Sequence, residues 1–182
     1  MFTVVVDACV LVPATLNDTF LSLAAERSYG LRWNAMILDE VERVIIDLGV
    51  PPNRARRRRC QMEEAFPFAM VDGWERYVPV LVNDPKDRHV LATAVAGRVD
   101  TIVTFNGKDF PESSVAPWNV EIVHPDQFLL NQLDLAPHAV HRAVEAMMQR
   151  NTRPSRNVTE LAESLSRCSV PGFADELIRR AW

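Results

Sequence analysis

The sequence predicts an α/β fold, an α/β/α sandwich with a mainly parallel sheet, followed by a helical C-terminal appendage. Three observations predict it. Short β-branched runs recur over 3–6, 101–105 and 120–123. Segments with apolar residues at helical spacing stand between them, and alternation of this kind favours parallel strands with crossover helices. After Pro125 the strand-like runs cease while helical periodicity continues. The chain of 182 residues is long enough for one domain with a small appendage. The expected division is an α/β domain over 1–130 and a helical extension over 131–182.

The first strand is expected over 3–6, a β-branched run that ends at Asp7. Leu16, Phe20, Leu23 and Ala24 predict a helix over 16–27. Ile37, Leu38, Val41, Val44, Ile45 and Leu48 predict a second, stopped by Gly49, Pro51 and Pro52. A third helix fits 53–65, before Pro67. The apolar run 78–82 reads as a strand or a buried loop. Asp84-Pro85 then has the form of an N-cap with proline at the first helical position, opening a helix that ends near Gly97. Strands follow over 101–105 and 120–123. In the appendage, helices are expected over 137–149, from a capping box at Asn157 and Glu160, and from Pro171-Gly172 to the end, with a polar link over 151–156.

Composition excludes several classes. Apolar residues make up 48% and charged residues 24%, as in ordinary globular domains. No apolar stretch approaches the roughly 20 residues of a membrane span, and Asp7 interrupts any signal-peptide core, so no membrane partner is expected. Cys9, Cys60 and Cys168 are odd in number and widely spaced, which fits a reducing, cytoplasmic setting and no zinc knuckle. The net charge of -4 argues against a general nucleic-acid coat but leaves local patches open. No GxxxxGK[ST] or GxGxxG stretch supports nucleotide binding, and no serine or cysteine has a neighbouring base and orienter.

The acids carry the chemical signal. Asp7 follows the first strand, Glu40 lies in the helix over 37–48, Asp87 stands in the first turn after Pro85, and Asp109 follows the strand over 101–105. Sites in open parallel sheets form beyond the carboxyl ends of the strands. Carboxylates converging there repel one another unless a cation sits between them, and a hard divalent ion such as Mg²⁺ or Mn²⁺ suits an all-oxygen set. Acids in these positions also occur as ordinary caps and solvated helix ends.

The stretches Val5-Val6-Asp7-Ala8-Cys9-Val10-Leu11, Ile37-Leu38-Asp39-Glu40-Val41, Asp84-Pro85-Lys86-Asp87-Arg88-His89-Val90-Leu91-Ala92 and Val103-Thr104-Phe105-Asn106-Gly107-Lys108-Asp109-Phe110-Pro111 resemble, in order and spacing, the signatures of PIN-domain nucleases. They are most similar to the VapC-type toxins of bacterial toxin-antitoxin pairs that carry a helical C-terminal extension. The resemblance implies a Mg²⁺- or Mn²⁺-dependent ribonuclease with an RNA substrate and a cognate antitoxin. It assigns Asp7, Glu40, Asp87 and Asp109 as catalytic metal ligands, with Thr104 and Asn106 as supporting polar groups. Two positions depart from the pattern: Asn106 stands where many relatives carry an acid, and Asn34 where related toxins often carry serine before the Glu-bearing helix, a place in which asparagine caps equally well.

Beside the quartet, Asp39 reads as a solvated acid and Asp84 as a cap. His89 reads as a structural hydrogen-bonding residue. Arg88, Arg56, Arg57 and Arg59 are the candidate RNA contacts, against the alternatives of a structural ion pair for Arg88 and a solvated helix face for the run. The rival to the enzyme reading is a nuclease-like protein-interaction module whose acids receive arginines from a partner. A homodimer is a further possibility on the partner side. Val140, Val144, Met147, Leu161, Leu165, Leu177 and Ile178 lie at helical spacings, consistent either with a groove for an antitoxin helix or with plain covering of a core.

Overall fold

The computed structural model describes residues 2–150 and 157–180. The polar link expected over 151–156 and the final Trp182 lie outside the described residues. Two compact units emerge: one joins Met1–Val12 to Gly30–Val123, the other joins Pro13–Tyr29 to His124–Trp182.

The first unit is built on a fully parallel four-stranded sheet in the order β2-β1-β3-β4, flanked by helices. Its strands are β1 (Thr3–Val6), β2 (Gly30–Arg32), β3 (Thr101–Val103) and β4 (Glu121–Val123). Val4, Val5 and Val6 of β1 are all buried, and full burial of a valine contributes on the order of 1.5–3 kcal/mol. Such continuous burial marks a central strand of a parallel sheet. Around the sheet run α1 (Ala8–Leu11), α3 (Ala35–Asp47), α4 (Pro52–Ala65), α5 (Arg88–Gly97) and α6 (Glu112–Val115), with α5 packed on β1, β2 and β3. The expected Asn34 cap is present: its side chain accepts from Ile37 N at 2.7 Å. Gly49, at φ +93°, ends α3 in a left-handed residue as expected, with Val50 N reaching back to Ile45 O.

The second unit is helical: α2 (Ala14–Ala25), α7 (Pro125–Leu135), α8 (Pro137–Arg150), α9 (Val158–Arg167) and α10 (Pro171–Arg179). Phe20 stacks on Phe128 at 5.5 Å, and Tyr29 meets the same ring edge-on at 5.1 Å. Tyr29 satisfies its buried hydroxyl on Phe20 O at 2.7 Å. The capping box of Asn157 and Glu160 forms as expected. Asp126 receives Gly172 N and Phe173 N and so caps α10; a Cβ at Gly172 would lie 2.9 Å from Asp126 Oδ2, so a larger residue there would have to displace the capping carboxylate. Val140, Val144, Met147, Leu161, Leu165 and Leu177 are buried, and of the expected stripe only Ile178 is exposed. Among the described residues the stripe is therefore mostly core of this unit.

Three local expectations need correction. The run over 78–82 forms no strand: a 3₁₀ helix spans Trp74–Val80, and Val80 and Val82 face solvent while Leu81 is buried. Pro79 lacks the N–H a ladder requires, which disfavours the strand. Strand β2 was not expected, because Gly-Leu-Arg is too short to show a period. Helices α1 and α7 were not expected either; α7 opens on Pro125 at its first position, with His124 as cap. Among the described residues no helix is long and apolar enough to cross a membrane.

Candidate metal centre

Strand register puts the first acid in place. Val6 of β1 pairs with Val103 of β3, so the next residues, Asp7 and Thr104, leave the same end of adjacent strands. Thr104 Oγ1 donates to Asp7 Oδ2 at 2.7 Å while accepting from Asn106 N at 3.0 Å. Cys9 Sγ donates to the same Asp7 oxygen at 3.2 Å. Burial, and then the Asp7 charge, push the Cys9 thiol up to about 12, so it remains a protonated donor. Asp7 itself is buried, and with one oxygen held by two donors its carboxylate has a defined orientation.

The remaining acids arrive on two loops. Asp84 Oδ1 accepts from Lys86 N at 3.1 Å, capping the 3₁₀ turn Pro85–Asp87 that leads into α5. A 3₁₀ turn has three residues per turn, so Asp84 and Asp87 eclipse on one side. The loop after β3 carries Asp109 in its own 3₁₀ turn, Gly107–Asp109, and Asp84 N donates to Asp109 O at 3.3 Å, tying the two loops together. One carboxylate oxygen from each of Asp84, Asp87 and Asp109 lies within 4.8 Å of the others. At that separation two full charges repel by on the order of 3 kcal/mol at the effective dielectric of a protein surface.

Asp87 shows the consequence. Burial raises its carboxyl to about 6, and Asp7, Asp109 and Asp84 push the same way against the opposing Lys86 ammonium. Its Oδ2 is buried with no hydrogen-bond partner. Lys86 Nζ stands 3.8 Å from Asp109 Oδ2 and 4.0 Å from Asp87 Oδ2, the local positive charge at the cluster. An orphaned buried carboxylate oxygen among oxygen-only donors fits a hard divalent cation. The donor set has no thiolate of the kind a structural zinc site uses.

Glu40 is placed differently. It lies in α3 with its side chain 38% exposed, and its Oε2 is 3.6 Å from His89 Nε2. His89 is buried, and its Nδ1 lies 2.9 Å from Lys86 O, which can only accept, so that nitrogen carries the hydrogen. His89 is thus held by the backbone of the acid-bearing turn. The tight three-carboxylate group contains Asp84, Asp87 and Asp109, with Asp7 coupled to Asp87 through its charge and Glu40 reached through His89. Asn106 is exposed; its backbone amide is what contacts Thr104.

The arginine candidates divide by what they touch. Arg59 pairs with Asp39, with Glu42 at 3.5 Å and with Glu63 at 3.3 Å. Arg56 faces Glu42 at 3.9 Å and is largely exposed. Arg58 donates to Leu11 O and to Val12 O at 3.1 Å, closing the end of α1. Arg57 is exposed. Arg88 donates through Nε to Asn83 O at 3.2 Å, a structural contact to the loop ahead of Asp84.

From sequence Asp84 reads as a cap in preference to a ligand, and Lys86 and Cys9 carry no role at this site. Asp84 does cap, as expected, yet it also joins the cluster; its spacing of three from Asp87 was the signal, visible only once the turn is known to be 3₁₀. Lys86 and Cys9 had no motif, since their roles come from contacts across the fold.

The model of the PIN domain matches residues 3–108, more than half of the chain, and the model of the VapC50 C-terminal domain matches residues 125–179. A curated protein of Mycobacterium tuberculosis (strain ATCC 25618 / H37Rv), named "Putative ribonuclease VapC50", is 38% identical over 110 residues, which are 60% of this chain and 62% of that protein. The chain thus spans somewhat less than two thirds of that relative's length. No solved structure matches. With a parallel sheet, acids gathered beyond its strands and a match over more than half its length, the chain belongs to the PIN-domain family.

Proposed function

We propose that this protein is an endoribonuclease dependent on Mg²⁺ or Mn²⁺ and acts as the toxin of a bacterial toxin-antitoxin pair. The observation that carries the reading is the convergence of Asp84, Asp87 and Asp109 within 4.8 Å, with Asp87 Oδ2 buried and without a hydrogen-bond partner. The match to the PIN domain and the similarity to a protein named as a ribonuclease support it. Asp7, Asp87 and Asp109 would hold the cation, joined by Asp84, with Glu40 beside them through His89.

A bound divalent ion supplies charge neutralisation at the scissile phosphate and a water of lowered pKa. The chain's own residues prepare for this. Thr104 and Cys9 fix the orientation of Asp7. The bond from Asp84 N to Asp109 O keeps the two acid-bearing loops together. Lys86, half-freed at the rim, offers a positive charge to a phosphate oxygen once the acids have another counter-ion. Asn106, exposed beside Thr104, is placed to hydrogen-bond a water or an RNA oxygen. Arg57 and Arg56 supply exposed guanidinium groups for phosphates farther along the strand.

The test is cleavage of a labelled single-stranded RNA with Mn²⁺ and with EDTA, alongside Mn²⁺ calorimetry on wild type and Asp87→Asn. Cleavage that requires Mn²⁺ and is lost in Asp87→Asn, together with a weakened heat of binding, is the expected result. A wild-type protein that takes up no Mn²⁺ overturns the reading. It would favour instead the nuclease-like protein-interaction module, a reading to which the Lys86 contact lends support, since the acids accept a side-chain cation.

A further inference from the structure

Resting on the ribonuclease reading, we propose that Trp118 and Tyr77, with Arg76, form a stacking platform that seats an unpaired base of single-stranded RNA beside the acidic cluster.

The aromatic pair joins the two segments that carry the acids. The Tyr77 and Trp118 rings lie 6.2 Å apart at 79°. Tyr77 belongs to the 3₁₀ helix Trp74–Val80, from whose end the chain continues to Asp84; Trp118 ends a short 3₁₀ turn in the segment that follows Asp109. At the other end of the same two segments Asp84 N bonds to Asp109 O. The helix is also anchored to the acid-bearing turn, because it packs on α5 and Trp74 meets His89 edge-to-face at 6.5 Å. Asp84 lies seven positions after Tyr77, which bounds their distance at roughly 25 Å even for an extended chain, so a strand of a few nucleotides spans both.

The surface has the chemistry that unpaired bases use. Trp118 is 36% exposed, and Val80 and Val82, which follow Tyr77 in the chain, are 61% and 70% exposed. The Arg76 guanidinium lies over the Tyr77 ring at 4.9 Å, and its Nη2 donates to the Tyr77 hydroxyl at 3.3 Å. That clamp leaves one face of Tyr77 occupied, so the stacking falls to the part-exposed indole. Aromatic rings flanked by arginine bind single-stranded nucleic acid by stacking, tolerant of sequence because every base has a π-face. A duplex offers no free base face, so the platform selects single strands.

The experiment measures anisotropy of a labelled single-stranded RNA and of the same sequence as a duplex, in EDTA to prevent cleavage, with full-length wild type, Trp118→Ala, Trp118→Phe and Arg76→Gln. Mn²⁺ calorimetry and melting temperature are followed on each. Trp118→Ala should weaken single-strand binding about tenfold, with Trp118→Phe restoring most of it and Mn²⁺ affinity unchanged. Arg76→Gln should weaken binding less and flatten its salt slope. Full single-strand affinity in Trp118→Ala, or equal loss for duplex and single strand, overturns the platform while leaving metal-dependent cleavage standing. A Trp118→Ala protein that binds RNA normally yet loses a protein partner also overturns it. Wild type that fails to cleave RNA with Mn²⁺ defeats the underlying reading instead, whatever the variants do.

Discussion

The Lys86 ammonium lies 3.8 Å from the Asp109 carboxylate, so the cluster carries its own tethered counter-ion. A divalent cation entering among the acids must compete with that charge. Lys86→Gln should therefore bind Mn²⁺ several-fold more tightly than wild type, while its metal-free melting temperature falls slightly, since an exposed ion pair is worth about 0.2–1 kcal/mol. Calorimetry together with thermal melting checks both. Weaker Mn²⁺ binding would mean that Lys86 helps to build the site and does not compete for it.

Asp87 should make stability fall as pH rises. Its carboxyl is raised to about 6 from its ordinary value of 3.8, so between those values the folded protein binds more protons than the unfolded chain. Stability from this group is present at low pH and is lost as pH rises through about 6. Asp87→Asn removes the repulsion: the metal-free variant should melt higher than wild type at pH 7, with the difference shrinking toward pH 4, and should lose RNA cleavage. Equal melting curves at pH 7 would show that the acids do not strain the fold.

The Thr104 hydroxyl is the shortest bond to Asp7, at 2.7 Å. Thr104→Val keeps the shape and deletes the donor. Loss of a group that orients a ligand typically costs about 10–100-fold in metal affinity or activity, and Mn²⁺ titration with a cleavage assay should show a loss of that size. Cys9→Ser, which retains a donor, should stay within a few-fold of wild type. If Thr104→Val behaves as wild type, Asp7 needs no such support.

The arginine run should separate into structural and binding members. Arg59→Gln frees Asp39, Glu42 and Glu63 from their shared partner, so melting temperature should drop while the salt dependence of RNA binding holds. Arg57→Gln should do the reverse, flattening the slope by about 0.7 for one lost phosphate contact to a single strand. An unchanged slope in Arg57→Gln would make that face merely solvated.

Helix α7 and strand β2 show why parts of the architecture were not legible. Strand β2 is three residues long and owes its existence to pairing with β1, an interaction between distant residues that leaves no local period. In α7 the start signals, a cap followed by proline, are present at His124 and Pro125, but they followed so closely on β4 that the apolar spacing was not separated from it. The longer helices α3, α4 and α8 carry two or more full turns of apolar spacing, or a clear proline stop, and were readable.

By itself the sequence determined the parallel α/β body, the helical C-terminal region, the Asn34, Asp84 and Asn157 caps, and the identity of the acids worth examining. These rest on short-range preferences: strand and helix periods, capping chemistry and acids placed just after strands. Only the tertiary structure decided which acids meet. The pairing of β1 with β3 set Asp7 against Thr104, the 3₁₀ form of Pro85–Asp87 turned Asp84 and Asp87 to one side, and a bond between loops brought Asp109 to them. Glu40 went to His89, and Arg59 to the acids of α3 and α4. Those outcomes depend on distances of a few ångströms between residues far apart in the chain, and Coulomb energies and hydrogen bonds change steeply over such distances.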